Sequence, residues 1–196
     1  MSDEPADLRT RHSQATREAI SHAALRLAIE QGPSGLALVR VNDIAAAAGV
    51  SPRTYNNYFS SRAEAICAFQ ADQSRRAGKA LRARPADEPL AEAIIAAVIE
   101  LYTDPEPDRA GLSMIMLTPE LEGEALKAFT MAEAPLADAI AARTGTDPDL
   151  FSAVTAAAVV GAVRVAGRHW LEPGTTDSFA ANLRHALSHV LSPQSR

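Results

Sequence analysis

The sequence predicts an all-α protein built in two helical parts, and three observations carry that prediction. Apolar residues recur at helical spacing in nearly every segment, strand-like alternation is almost missing, and glycines and prolines punctuate the chain at helix-length intervals. With 196 residues, 47% of them hydrophobic and 22% charged, the chain can bury one or two cores, which excludes wholesale disorder. Ten Gly and twelve Pro are ordinary usage and exclude collagen-like and low-complexity chains. Cys67 is the one cysteine, so an internal disulfide cannot form, nor can a cage of several thiolates. That usage suits a reducing compartment, and the expected location is cytoplasmic. Met1 to Arg11 is charged and lacks an apolar leader core. The longest apolar stretch, Ala153 to Ala166, contains Arg164 and falls short of a ~20-residue membrane span.

The elements follow in order. Ser13 to Glu30 sets Ile20, Ala23, Ala24, Leu27 and Ala28 on one helical face and stops at Gly32-Pro33. Leu36 to Val41 is too short and irregular for a strand and reads as a packed connection into a helix over Asn42 to Ala48, ended by Gly49. Ser51-Pro52 is a capped start with proline at the first helical position, opening a short helix that finishes near Tyr58-Phe59. Ser60 or Ser61 caps a fourth helix that turns Ile66 and Phe69 inward and runs to Pro85, where Pro85 and Pro89 mark a boundary. Leu90, Ile94, Ile95, Val98, Leu101 and Tyr102 form the next stripe, followed by a short segment over Leu112 to Leu117 and a helix over Pro119 to Arg143. Asp147-Pro148 opens a long helix to Trp170-Leu171, and Thr176 to Leu191 closes the chain with Phe179, Leu183, Leu187, Val190 and Leu191 on one face. Ala153 to Ala166 is apolar almost all round and holds Gly161, so it needs cover on several sides. Two such helices from each of two subunits would supply that cover as a four-helix core, which predicts a homodimer through the last two helices.

Charge divides the chain. Residues 1–85 carry 12 Lys+Arg against 8 Asp+Glu, and residues 86–196 carry 7 against 16, so a front of +4 sits on a body of −9. The asymmetry points to a polyanionic partner for the front alone.

Val41 to Arg62 reads VNDIAAAAGVSPRTYNNYFSSR: a short helix, a glycine where the chain turns sharply, and a second short helix. This is the pattern of a helix-turn-helix, with Ala45 small at the crossing and Ile44, Ala48, Val50, Tyr55 and Phe59 facing inward. The outward set Ser51, Pro52, Arg53, Thr54, Asn56 and Asn57 lies near the N-terminal end of the second helix, the end that enters a major groove. Arg53 matches the guanine edge, Asn56 or Asn57 the adenine edge, and Thr54 a thymine methyl or a phosphate. Tyr58 and Arg62 flank them as phosphate contacts that set register.

This arrangement, a first helix ending in glycine and then IAAAAGVSPRTYNNYFSSR, resembles the N-terminal domain of TetR-family transcriptional regulators over roughly residues 13–70. The resemblance implies a homodimer on a palindromic operator, usually a repressor, released when a small molecule occupies the C-terminal helices. It also carries the family's DNA contacts to Arg53, Thr54, Asn57, Tyr58 and Arg62. Three residues depart from the family pattern. Arg40 stands where a threonine cap is common and becomes a possible phosphate contact, Asn56 follows Tyr55 where an aromatic–Tyr pair is common, and Arg62 replaces lysine. The expected architecture is therefore an N-terminal three-helix helix-turn-helix DNA-binding domain over 10–62, a connecting helix over 63–85, and a C-terminal helical ligand-binding and dimerisation domain over 86–196.

Two other constellations have the spacing of metal sites without the full ligand set. His185 and His189 have the i, i+4 spacing of zinc ligands but lack an H-E-x-x-H frame, and Asp104, Glu106 and Asp108 lack the glycine and terminal glutamate of a calcium loop. No metal, no cofactor and no catalytic set is expected, so the chain does not read as an enzyme. Candidates for an effector pocket are Tyr102, Met114, Met116, Phe129, Arg164, His169 and Trp170. Within its apolar helix, Arg164 must pair with a carboxylate, reach water or anchor an anionic ligand. The alternative reading is an all-α protein-interaction module that uses the helix-turn-helix for partner contacts, and it predicts binding insensitive to salt.

Overall fold

The computed structural model describes residues 4–103 and 106–191, with the side chains of 4–10, 33–35, 69–71 and 74 outside that description. Asp104 of the acidic loop and the Phe69 side chain therefore fall outside it. Among the described residues the chain forms nine α-helices, two 3-10 turns and no strand. The front comprises α1 (Glu4–Gln31), a 3-10 turn (Pro33–Leu38), α2 (Val41–Ala47), α3 (Pro52–Tyr58) and the start of α4 (Arg62–Ala83). The body comprises the rest of α4 with α5 (Leu90–Glu100), α6 (Arg109–Leu117), a 3-10 turn (Pro119–Leu121), α7 (Glu122–Thr144), α8 (Leu150–Trp170) and α9 (Phe179–Leu191).

Helix α1 begins nine residues before the expected Ser13. Residues 4–12 contain no glycine and only Pro5, which sits in the first turn where a missing N–H costs no intrahelical bond. The long C-terminal helix is capped by Asp149 rather than at Asp147-Pro148. The Asp149 carboxylate accepts the Ser152 N–H at 2.9 Å, while the Ser152 hydroxyl oxygen accepts the Asp149 N–H at 2.9 Å, a reciprocal capping box. Glu106 and Asp108 both serve the fold: Glu106 accepts the Phe179 N–H at 2.8 Å, and Asp108 caps α6 through the Gly111 N–H at 2.9 Å. Helix α8 is long and apolar enough to cross a membrane by length and composition. It packs between α7 and α9, burying Ala156, Val159, Ala162 and Trp170 in the body core.

The two cores are shared across the chain's segments. The body core joins Ala77 and Leu81 of α4 to α5, α7, α8 and α9, with Phe179 in edge contact with Tyr102 at 5.1 Å between ring centroids. The front core joins α1, α2, α3 and α4 to Met114 and Ile115 of α6, Leu121, and Ala125 and Ala128 of α7. Helices α4 and α7 share the most extensive contact in the molecule. A Cβ built on Gly78 of α4 would lie 2.8 Å from the Pro135 carbonyl oxygen of α7, so a glycine allows the two backbones to approach this closely. Arg143 at the end of α7 donates to the carbonyls of Arg84, at 3.3 Å, Pro85 and Glu88, at 2.7 Å, which fixes the α4–α5 connection to α7.

Candidate functional site

The helix-turn-helix forms where its sequence pattern predicts. Gly49 takes φ +68° in the turn, a left-handed conformation that a side chain would strain. Ser51 caps α3 by accepting the Thr54 N–H at 3.0 Å, and its hydroxyl lies 2.8 Å from that of Thr54. Tyr55 and Phe59 are buried, with Ile44 and Ala45 against them across the crossing. The Tyr55 hydroxyl donates to the Ser61 carbonyl at 3.0 Å, tying α3 to the start of α4. Burial first, then the charge of Glu64, pushes that phenol up to about 12, with Arg62 opposing, so it stays a neutral donor.

Burying Tyr55 and Phe59 leaves the opposite face of α3 in solvent. Ser51, Pro52, Arg53, Asn56 and Asn57 are exposed, and Thr54 and Tyr58 are half-buried. Arg53, Asn56 and Asn57 have no side-chain hydrogen bond among the described residues, so a planar fork and two amides stand unengaged on one surface. Arg40 is the exposed N-cap position of α2 and makes no side-chain cap.

Arg62 and Arg17 have internal work that sequence spacing did not reveal. The Arg62 guanidinium donates to the carbonyls of Ala37 and Val39, each at 3.2 Å, holding the end of the 3-10 turn against α4. Arg17 of α1 donates to the Tyr58 carbonyl at 3.2 Å and lies 4.4 Å over the Phe59 ring. It therefore grips the C-terminal end of α3, and the signal for it was only a cation one turn before the apolar face of α1. At the other flank, the Glu64 carboxylate accepts from both the N–H and the hydroxyl of Ser60, at 2.8 and 2.7 Å.

The seven effector candidates do not meet in one cavity. Tyr102 and Phe129 line a small space of about 20 Å³ beside α4, with Gln73 and Val159. Such a volume is near that of one water probe, too small for an effector in this conformation. Met116, Phe129 and Arg164 line a groove of about 270 Å³ between α6, α7 and α8. Arg164 and His169 also line a broader groove of about 770 Å³ between α8 and α9, together with His185 and His189. Met114 is buried in the front core, and Trp170 packs on Phe179 with Arg109 5.0 Å over its ring. Neither lines these spaces. Met114 and Met116 part company because residues two apart on a helix point to different sides.

The outer face of the last two helices carries exposed apolar side chains beside Arg164, His185 and His189. Phe151, Val154, Val165 and Val190 are 55%, 58%, 54% and 43% exposed. Along α8, Val154, Ala158, Gly161 and Val165 follow one another at four, three and four residues, a stripe with small side chains at its centre.

Residues 20–65 match the family described as bacterial regulatory proteins, tetR family, and residues 88–194 match the MftR C-terminal domain. Among solved structures, the chain is similar to Thermus thermophilus FadR, a TetR-family transcriptional repressor in complex with lauroyl-CoA. The identity is 20% over 89% of this chain and 93% of that one, with a TM-score of 0.55. It is also similar to the fatty acid degradation regulator FadR from Bacillus halodurans, at 15% identity over 92% and 96% of the two chains and a TM-score of 0.57. A TetR-family regulator from Streptomyces coelicolor shares 17% identity over 89% and 80%, with a TM-score of 0.50. At such identities the likeness is one of fold. No curated protein matches the sequence.

Proposed function

Because the chain belongs to the TetR family, whose members are DNA-binding transcription regulators, we propose that it is a homodimeric repressor of a palindromic operator, released by a small-molecule effector. The observation that carries this is the outward face of α3. Arg53, Asn56 and Asn57 stand exposed and unengaged on a helix whose other face is locked into the front core. In this reading Arg53 and the asparagines meet base edges, while Ser51, Pro52, Thr54, Tyr58, Arg40 and Arg62 sit against the backbone and set register. Arg62 does so with the donors left over from Ala37 and Val39. Reading DNA in this way is a cytoplasmic task and asks for no catalysis.

The dimer forms through α8 and α9. The stripe of Val154, Ala158, Gly161 and Val165 supports it, since its spacing suits helix packing and its small centre permits close approach by a second copy. The neighbour held with lauroyl-CoA supports ligand control as a mode of this fold.

The test is selection of bound duplexes from a random DNA pool, followed by anisotropy titration of the winner at two salt concentrations. An operator reader enriches a palindrome with two major-groove half-sites. Arg53→Ala then costs about 1–3 kcal/mol and relaxes base preference at one position of each half-site. No enrichment, with affinity that follows salt alone, would overturn the reading and favour a module that binds protein partners.

A further inference from the structure

The body's arginines and lysine are few, and half of the described ones are committed. Among the described residues, Arg109 lies over Trp170, Lys127 pairs with Glu124, and Arg143 holds three carbonyls. Arg164 and Arg168 lie one turn apart on α8, both line the α6–α7–α8 groove, and neither has an ion-pair or hydrogen-bond partner among the described residues. Beside the carboxylate of Glu122, the rest of that groove's lining is apolar: Ile115, Met116, Ala125, Leu126 and Phe129. Leu126 is 59% exposed, an apolar wall open to solvent. Two uncommitted guanidinium groups beside an apolar trough, on a body of net negative charge, are a site for a molecule with an anionic head and an apolar tail.

The groove is also placed to be felt elsewhere. Its floor residues Ile115 and Ala125 are at the same time members of the front core, packed with α1 and α4 under the helix-turn-helix. Phe129 is common to this groove and to the small space beside α4, so its side chain borders both. A tail pressed into the groove therefore meets the underside of the DNA-reading half and the wall of the space beside α4. A Cβ on Gly167 would lie 2.8 Å from the Met116 thioether, so the glycine leaves the room in which Met116 lies against α8.

We propose that the α6–α7–α8 groove binds an amphipathic anion. Arg164 and Arg168 take its carboxylate or phosphate head, Met116, Leu126 and Phe129 take its apolar tail, and occupancy is passed to the reading helix through Ile115 and Ala125. The binding half of this inference stands by itself; the coupling half rests on the regulator reading above.

The experiment titrates the full chain calorimetrically with decanoate, decyl phosphate, decanol and decylamine, and then repeats the titrations on R164Q, R168Q and R184Q. Expected is that one or both anions bind at least about tenfold more tightly than decanol or decylamine, the preference of a charge-assisted contact. The preferred anion identifies the head. R164Q and R168Q should each remove most of that preference, and R184Q, on α9 outside the groove, should keep it. Equal binding of decanol and decanoate, or a preference that survives both groove substitutions, overturns the site. With a selected duplex, saturating anion should weaken DNA binding by the wild type and not by R164Q. An anion bound through the arginines without that loss overturns the coupling. Anion preference in a protein that selects no duplex supports the site and counts against the regulator reading, so the two failures are told apart.

Discussion

Replacing Gly78 by alanine sets two effects of known size against each other. In a helix interior, alanine is favoured over glycine by about 0.8–1.0 kcal/mol, so Gly78→Ala in an open position would stabilise the protein. Position 78 is not open. The added Cβ would lie 2.8 Å from the Pro135 carbonyl oxygen, against 3.4–4 Å for ordinary contact, with the Ala139 Cβ at 3.6 Å behind it. The obstacle is backbone in the middle of α7, so relief requires α4 and α7 to separate by roughly half an ångström along their shared length. Overpacking of this kind costs about 1–3 kcal/mol, which matches or exceeds the propensity gain and leaves a net loss of roughly 0–2 kcal/mol. Urea denaturation should show the midpoint falling with an unchanged slope. A Gly78→Ala variant that is more stable by the full propensity increment would refute the close approach of α4 to α7, and with it the rigid body to which the reading module is attached.

Three further outcomes follow from the same reasoning. Gly161→Ala meets no atom within 4 Å in the single chain, so propensity alone predicts a gain of about 1 kcal/mol. If a second copy packs on the α8 stripe, sedimentation should instead show weaker dimerisation, and a tighter dimer would count against close approach there. Arg17→Met removes a charged hydrogen bond to the Tyr58 carbonyl and a cation over Phe59. About 1.5–3 kcal/mol of stability should be lost, with DNA affinity lowered on every sequence and the salt slope unchanged, because Arg17 serves the fold. A reduced salt slope would make it a phosphate contact instead. For Glu64, burial works to raise the carboxyl pKa, but the two Ser60 hydrogen bonds outweigh it, with Lys127 and Arg17 assisting, and hold it below its ordinary 4.5. A lowered pKa contributes stability above the unfolded value that fades as pH falls through the folded one. Glu64→Gln should therefore flatten the loss of stability on acidification below about pH 4.5, measured by melting temperature against pH. A variant whose acid slope matches the wild type would refute the Ser60–Glu64 clasp.

Much of the fold was legible because its signals are local. Gly32-Pro33, Gly49, Ser51-Pro52 and the prolines at 85 and 89 each stop or start a helix by their own backbone chemistry, and the chain obeys them. The start of α1 was missed because periodicity reports only where a helix has something to bury, and the sequence of residues 4–12 carries no apolar period. The cap of α8 moved from Asp147 to Asp149 because a carboxylate two residues further on has Ser152 as a reciprocal partner. The reading face of α3 lies within one short segment, and so its exposure followed from which residues the crossing must bury. The groove was legible only in part: Met116, Phe129 and Arg164 stood among the candidates, and Arg168, Leu126 and the gathering of these residues in one place did not. It is assembled from α6, α7 and α8, and the importance of Arg164 and Arg168 lies in which acids fail to reach them, a property of the packed chain.

The interleaving of the two cores bears on how such a protein can be recombined. Exchanging residues 1–62 for those of another reader looks like a clean cut between modules. It would leave Met114, Ile115, Leu121, Ala125 and Ala128 facing a foreign α1 and α2, whose side chains were never fitted to them. A cut at the prolines after α4 fares no better, since Ala77 and Leu81 would be parted from the body they help to fill. A graft that keeps its host's ligand response must therefore carry the underside of the reader along with it, transplanting the α6 and early α7 positions together with the helix-turn-helix.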